Sequence, residues 1–347
     1  MKFRTKRTVQ LKNKTILENS RSGIKNFITT YEIQATMTLV LIAVVLLFIV
    51  TAPSVFLKFD TYVSILTVNP FIIILAVSVI PVIIAGEIDL SFPSIMGFGA
   101  LVFSKVYLAT MNPVLAFFAA LFSGGVLGLI NGILVSRLRV PSLVLTLGTF
   151  FLWRGVINVI TEGLGDSLVT LRGHLFHQLF VGKALYIPVQ TFWAILFASL
   201  LWFIINRTRL GAHIYAIGDN RATAQVMGVK VERTLIWVFT ISGIGSAFVG
   251  VLSDLLQVTF WPTTGEGYLL PVLAAVFIGG TPTWGGKGTI YGTVAGSLVL
   301  GLINTGIIAA GATGFWTQVV YGLMIVIAIS LHNILRRREA ITRRLMV

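Results

Sequence analysis

The sequence predicts an all-α integral membrane protein with about ten transmembrane helices. Hydrophobic residues make up 56% of the chain and charged residues only 11%, whereas a soluble domain carries about 25% charged residues. The apolar residues also form long uncharged runs, and the basic residues cluster between these runs. A chain with so little charge cannot bury its apolar surface in a water-soluble core, so it requires lipid as its solvent.

The apolar runs accommodate ten spans, since a transmembrane helix needs about 20 apolar residues. A break at Met111-Asn112-Pro113 separates the third and fourth spans, and a turn at Gly311–Gly314 separates the last two. The predicted spans are 33–57, 61–86, two within 90–136, 140–161, 184–206, 234–253, 267–282 and two within 288–335.

The lysine and arginine residues predict the orientation, because cytoplasmic loops carry an excess of positive charge. With the N-terminus inside, 21 of the 26 lie in cytoplasmic segments, four lie outside, and Arg154 lies within a span. We therefore expect a basic cytoplasmic arm over 1–31, a transmembrane domain over 32–335 and a basic cytoplasmic tail over 336–347. The net charge of +14 then belongs to loops beside membrane lipid, and no nucleic-acid partner is expected.

Two short sequence echoes suggest that the halves of the chain are related. The hexapeptide VLGLIN occurs at 126–131 and again at 299–304, in spans that run in opposite directions. A fainter echo pairs the stretch from Gly86 to Pro93 with the stretch from Gly265 to Pro271. An inverted five-helix repeat, common in transporters, and two glycine-rich helix-packing faces both account for these echoes.

The longest predicted cytoplasmic loop, residues 207–233, contains a short helix. Asp219 or Asn220 can cap its start, and Gly228 suits the left-handed residue that ends it. Ala222 and Ala224 keep the helix slim. Such a helix is suited to dock on another protein, although an ordinary surface helix has the same features.

Several polar residues within or beside the spans are candidates for a translocation path, because intramembrane polar groups are costly and often functional. Asp89 and Ser91 precede Pro93, so they either cap a helix or line a cavity. Arg154 either lines the path or pairs with an acid. Asn131 and Asn304 occupy the two VLGLIN copies, where an amide can bond a solute hydroxyl or a neighbouring helix.

The residue inventory disfavours chemistry in this chain. It contains no cysteine, which removes disulfides, thiolate ligands and cysteine nucleophiles. The four histidines show no metal-ligand spacing. The segment Gly285–Gly288 fails as a phosphate-binding loop, because threonine stands at 281 and glycine at 288. We expect no catalytic residue, no metal site and no cofactor in this chain.

Four segments resemble the permeases of ATP-binding-cassette importers for ribose, xylose, arabinose, galactose and related sugars. GAHIYAIGDNRATAQVMGV resembles their cytoplasmic coupling loop, and five residues match its pattern: Gly218, Asn220, Ala222, Ala224 and Gly228. GEIDLS at 86–91 is similar to the family's GGIDLS, with Glu87 where glycine is usual. VPSLVLTLGTFFLWRG at 140–155 and GGTPTWGGKGTIYGT at 279–293 also resemble family segments, the latter departing at Pro282 and Trp284.

This resemblance implies a type II importer-like permease in the bacterial inner membrane that carries a monosaccharide or similar neutral polyol. It implies that the helix from Asn220 to Gly228 seats in a groove of a cytoplasmic ATPase subunit, which binds ATP and Mg²⁺. It also implies a second permease, identical or paralogous, and a periplasmic or lipid-anchored sugar-binding protein.

Three other functions compete with this one. A secondary transporter driven by an ion gradient needs buried acids, but Glu87, Asp89, Asp254 and Glu266 fall near predicted span ends, which disfavours it. An intramembrane enzyme needs a paired catalytic constellation at membrane depth, and none is visible. A passive channel or scaffold is the third alternative.

Overall fold

The computed structural model describes residues 32–138 and 140–345, and the predicted arm over 1–31 lies outside them. The described part is mostly helical. The helices are α1 (Glu32–Thr51), α2 (Pro53–Phe56), α3 (Phe59–Ile84), α4 (Phe92–Thr110), α5 (Pro113–Leu138), α6 (Ser142–Thr161), α7 (Leu175–Val181), α8 (Val189–Arg207), α9 (Arg209–Asp219), α10 (Arg221–Val226), α11 (Val231–Gln257), α12 (Leu269–Ile278), α13 (Ile290–Ala309) and α14 (Phe315–Leu345).

Within the described residues, nine helices are long and apolar enough to cross a membrane. They are α1, α3, α4, α5, α6, α8, α11, α13 and α14. The all-α membrane class is therefore confirmed, and these nine agree with nine of the ten predicted spans.

The predicted eighth span, 267–282, does not form a full-length transmembrane helix. Its helix α12 has 10 residues, roughly 15 Å of length, which is about half the hydrocarbon thickness of a bilayer. Glycines in the left-handed region interrupt the helix on both sides, Gly265 and Gly267 before it and Gly280 after it. This crossing consists of a non-helical segment, residues 261–268, followed by a half-length helix.

Two short antiparallel ladders define one end of the molecule, which we call the strand end. Strand β1 (Asp166–Ser167) pairs with β4 (Thr259–Phe260), and β2 (Lys183–Ala184) pairs with β3 (Ile187–Pro188). The opposite end carries α9 and α10, and we call it the loop end.

Contacts far apart in sequence place both the first and the last described helix at the loop end. The Gly286 amide donates to the Ile84 carbonyl at 2.8 Å, which brings the end of α3 to the glycine-rich segment 279–289. Next to this segment, Tyr291 shares a hydroxyl hydrogen bond with Thr38 of α1 at 2.7 Å. Trp284 contacts the ring of His332 on α14. The early part of α1 and the later part of α14 therefore lie at the same end.

The helices of the two halves pack in a matching order. Helix α4 packs on α5 and α6 as α12 packs on α13 and α14, and α11 packs on α5 and α4 as α3 packs on α13 and α12. The corresponding helices run in opposite directions, and the two VLGLIN copies fall on the matching pair α5 and α13. The first helix of each half differs, since α1 packs on α13 and α8 on α3. The correspondence therefore covers four helices per half rather than five.

The centre of the bundle is formed by α3, α4, α5 and α11, whose facing residues are almost fully buried. Helices α5 and α11 approach closely because glycines face the contact. A side chain at Gly128 would overlap the Phe239 carbonyl, and one at Gly124 would overlap Gly243 and Ala247. Small residues of this kind are typical of packed membrane helices.

Candidate functional site: the coupling loop and the membrane centre

The predicted coupling loop contains two helices, α9 and α10, joined at Asn220. The Asn220 side chain caps α10 by accepting from the Thr223 amide at 3.0 Å, so Asn220 rather than Asp219 is the cap. Gly228 follows α10 with φ of 84°, as predicted for a helix-ending residue. Sequence reasoning missed α9, which Thr208 caps from the preceding turn.

One of the predicted contact residues, Ala224, faces the chain itself. Ala224 is only 1% exposed, so its methyl group packs inward and is not available to a partner protein. Ala222 is exposed, and beyond it Val226 and Met227 are 90% and 75% exposed. The exposed surface of α10 therefore lies at Ala222, Val226 and Met227 rather than at Ala224.

Gly218 fastens the coupling loop to the rest of the molecule. A side chain at this position would overlap the Ile84 carbonyl and the Gly286 amide, so only glycine permits this approach. A side chain at Gly285, where φ is 79°, would likewise overlap the backbone of Gly86. We call these residues, Ile84, Gly86, Gly218, Gly285 and Gly286, the glycine junction. It joins the end of α9 to the end of α3 and to the segment 279–289.

An ion pair lies beside the glycine junction. The Arg221 guanidinium, at the first position of α10, donates to the Glu87 carboxylate at 2.9 Å. The side chains are 44% and 14% exposed, respectively. Glu87 is the residue that departs from the GGIDLS pattern, so this contact depends on a side chain that the usual glycine cannot supply.

A polar pocket of about 500 Å³ separates α10 from the connection between α5 and α6. This side of α10 is open, and the glycine junction and the Glu87 ion pair attach the helix near its start. The pocket is lined by Glu87, Val135, Ser136, Val140, Pro141, Arg221, Gln225, Val231 and Glu232.

The Asp89 carboxylate forms the centre of a buried hydrogen-bond network. One of its oxygens accepts from the Ser91 amide and hydroxyl at 2.8 and 2.6 Å, and the other accepts from the Ser242 hydroxyl at 2.8 Å. The Asn131 amide donates to the Ser91 hydroxyl at 2.7 Å. All four residues are at most 1% exposed. Asp89 thus joins the segment before α4 to α11 and, through Ser91, to α5.

The two predicted asparagines differ in their surroundings. Asn131 belongs to the Asp89 network, whereas Asn304 is half-buried on α13 and makes no recorded side-chain hydrogen bond with the described residues. The structure therefore brings Asp89, Ser91 and Asn131 together and leaves Asn304 apart from them.

Arg154 holds the non-helical segment 261–268 in place. Its Nη1 donates to the carbonyls of Pro262 at 2.6 Å and Thr264 at 3.0 Å. Its Nε lies 3.9 Å from the Glu266 carboxylate. Arg154 is only 8% exposed, and its contacts satisfy backbone groups that a helix would otherwise satisfy internally. Of the two roles predicted for Arg154, these contacts favour pairing and positioning.

Two acids are buried more deeply than their positions near span ends indicate. Asp89 is 1% exposed and Asp254 is 0% exposed. Neither carboxylate oxygen of Asp254 has a hydrogen-bond partner among the described residues. A position near a predicted span end therefore did not show whether these acids are buried. The argument that the chain lacks the buried acids of a secondary transporter does not hold for Asp89 and Asp254.

The comparisons with known proteins agree with the helical arrangement. Residues 61–329 match the family described as the permease component of branched-chain amino acid transport systems. The chain belongs to this permease family. The matched residues begin within the first turn of α3, end about halfway along α14, and include the glycine junction and the Asp89 network.

Several sugar permeases are similar to this permease over most of its length. The ribose import permease of Escherichia coli (strain K12) is 29% identical over 90% of this chain and 97% of its own. The D-allose transport system permease of the same strain is 31% identical over 86% of this chain and 91% of its own. The galactose/methyl galactoside import permease of Salmonella typhimurium is 30% identical over 86% and 94%. No solved structure matches the chain.

Proposed function

We propose that this permease is the membrane-spanning subunit of an ATP-binding-cassette importer for a monosaccharide or a similar neutral polyol. The names of its relatives, which are ribose, allose and galactose permeases, support the substrate class. The observation that carries the importer assignment is α10, a capped helix whose exposed tip protrudes while its base is fastened through Gly218.

The partners follow from this assignment. A separate ATPase subunit that binds Mg²⁺ and ATP would receive the exposed tip of α10, a second permease would complete the membrane unit, and a binding protein would deliver the sugar. The loop end would then be cytoplasmic. The split of 21 basic residues against four supports this orientation, because the positive-inside rule places the richer side in the cytoplasm.

Reconstituted uptake tests the energy source. The permease, its ATPase and its binding protein are placed in proteoliposomes and supplied with labelled D-ribose, D-allose or D-galactose. We expect uptake that requires hydrolysable ATP on the ATPase side and that persists when a protonophore collapses the proton gradient. Uptake without ATP that disappears with the ion gradient would favour the secondary transporter instead.

Arginine substitutions test the docking surface with a matched control. Met227→Arg places a charge on the exposed tip of α10, whereas Leu185→Arg places one on a side chain that is 91% exposed at the strand end. We expect the first variant to lose co-purification with the ATPase and ATP-dependent uptake, and the second to retain both. Equal behaviour of the two variants would remove α10 as the ATPase contact.

A further inference from the structure

The segment 261–268 reaches the middle of the membrane. Ser94 donates to the Phe150 carbonyl at 2.8 Å, and Phe150 lies about 12 Å from the start of α6 and about 16 Å from its end at 1.5 Å per residue. A side chain at Gly265 would overlap the carbonyl of Pro93, the residue next to Ser94. Gly265 and its neighbour Glu266 are therefore close to the midpoint of a helix that matches the bilayer thickness.

Polar groups at this depth are exposed at the surface of the single chain. The Glu266 side chain is 55% exposed, and Thr263 and Gly267 are also exposed. Trp261, where the segment begins, is 50% exposed. A carboxylate and irregular backbone are not tolerated against lipid tails, and they occur at membrane depth only beside protein or a water-filled cavity. This face of the molecule therefore does not contact lipid.

A second exposed surface provides the contrast. On α5 and α11, the exposed side chains include Phe118, Phe122 and Trp237, which are 62%, 75% and 58% exposed. The groove between these helices is almost wholly apolar. Such a surface is compatible with lipid. The face around Glu266 differs from it in polarity rather than in exposure.

The segment is a series of turns, in which the Thr264 amide donates to the Trp261 carbonyl at 2.9 Å and the Glu266 amide donates to the Thr263 carbonyl at 3.0 Å. Trp261 and Thr263 are exposed, while Pro262 and Thr264 are buried. The carbonyls of these buried residues accept from Arg154. Arg154 therefore holds the backbone of this segment from its buried side. Trp261, Thr263 and Glu266 are exposed on the other side, which we call the open side.

We propose that this open side lines the substrate path and that Glu266, Thr263 and Trp261 bind the sugar as it crosses the membrane centre. The Glu266 carboxylate would accept hydrogen bonds from sugar hydroxyls, the Thr263 hydroxyl would add a further contact, and the Trp261 ring would cover an apolar face of the sugar. Aromatic side chains with a few placed polar groups are the usual composition of such sites. Arg154 is a positioning residue for this site. This inference rests on the proposed function.

Cysteine labelling tests whether water reaches the open side of the segment 261–268. The method suits this chain because it has no cysteine of its own. Thr263→Cys and Phe122→Cys are introduced separately into the assembled importer, and each is exposed to a membrane-impermeant, hydrophilic thiol reagent. We expect Thr263→Cys to react, and its reaction rate to fall when the transported sugar is present. Phe122→Cys, at the matched apolar position, should remain unreacted.

A substrate series tests the role of the carboxylate. D-ribose, D-allose and D-galactose are assayed first, and monodeoxy analogues of the sugar that is taken up are then compared in the wild-type importer and in Glu266→Gln. A hydrogen bond to a charged acceptor corresponds to roughly ten- to hundredfold. We expect the wild type to discriminate by at least about tenfold against one or two analogues, and Glu266→Gln to lose that discrimination.

The outcomes separate this inference from the proposed function. If the wild type transports sugar but Thr263→Cys is unreactive, reacts without protection by sugar, or cross-links to a second permease, the binding face is overturned while the importer assignment stands. Unchanged discrimination in Glu266→Gln likewise removes the carboxylate from the site. If the wild type transports no labelled pentose, hexose or polyol with ATP, the proposed function fails and the sugar assignment fails with it.

Discussion

The ion pair between Glu87 and Arg221 gives the sharpest test of how the coupling helix is attached. It joins the first residue of α10 to the segment that leads into the Asp89 network. We predict that Glu87→Gln and Arg221→Gln each slow ATP-dependent uptake, because each removes the charged contact that holds α10 beside the glycine junction.

The magnitude follows from the geometry of the pair. The nitrogen and oxygen lie 2.9 Å apart, but the arginine side chain is 44% exposed, so solvent screens the attraction. Pairs of this kind contribute about 0.2–1 kcal/mol. At 1.36 kcal/mol per tenfold change, an effect near the upper end corresponds to roughly a two- to fivefold loss of uptake rate.

A double-mutant cycle isolates the pair from other roles of either residue. We expect the double variant Glu87→Gln, Arg221→Gln to be no slower than the slower single variant, and the charge exchange E87R/R221E to recover part of the rate. Arg233→Gln is the matched control, since Arg233 is an exposed arginine of the same loop with no ion pair to the described residues. Losses that multiply in the double variant would refute the argument.

Three further predictions follow from the other contacts. Gly218→Ala should prevent assembly of the loop 207–233, because the added carbon overlaps the Ile84 carbonyl. Gly228 has a positive φ, but the space around it is open. Gly228→Ala should therefore lower the free energy of unfolding, followed by thermal unfolding, by only about 1–2 kcal/mol. Arg154→Gln should lower uptake and unfolding temperature together, because two buried carbonyl groups lose their charged donor. Ala222→Cys should react with an impermeant thiol reagent only from the cytoplasmic side, and labelling from outside intact cells would reverse the proposed orientation.

Sequence reasoning identified the short helix α10 but not how it is oriented. Asn220 and Gly228 are recognisable because capping and helix termination depend on local backbone geometry, which residue type constrains strongly. The direction of the Ala224 methyl group depends on what packs against α10, and that contact comes from distant parts of the chain. Small residues are equally suited to an internal contact and to a docking surface, so the sequence could not distinguish them.

The candidate path shows the same limit. Asp89, Ser91 and Asn131 were selected because polar residues in apolar runs are unusual, and the structure joins them in one network. Glu266 and Trp261 were not selected, because they precede a predicted span and resemble ordinary loop residues. Their depth depends on the approach of Gly265 to Pro93, a tertiary contact without a local sequence signature.

The half-length helix α12 explains why ten spans were predicted where the described residues contain nine helices of spanning length. Nine long helices alone are an odd number, which would place α1 and α14 with their outer ends on opposite sides. The contacts of Thr38 and His332 instead place both at the loop end, so the residues between α11 and α13 must cross the bundle once more. Hydropathy detects this crossing because residues 267–282 are apolar, but it does not detect the glycines that shorten the helix. A crossing completed by irregular backbone needs a buried donor to satisfy its carbonyls, and Arg154, the one charged residue within a predicted span other than Lys105, provides that donor.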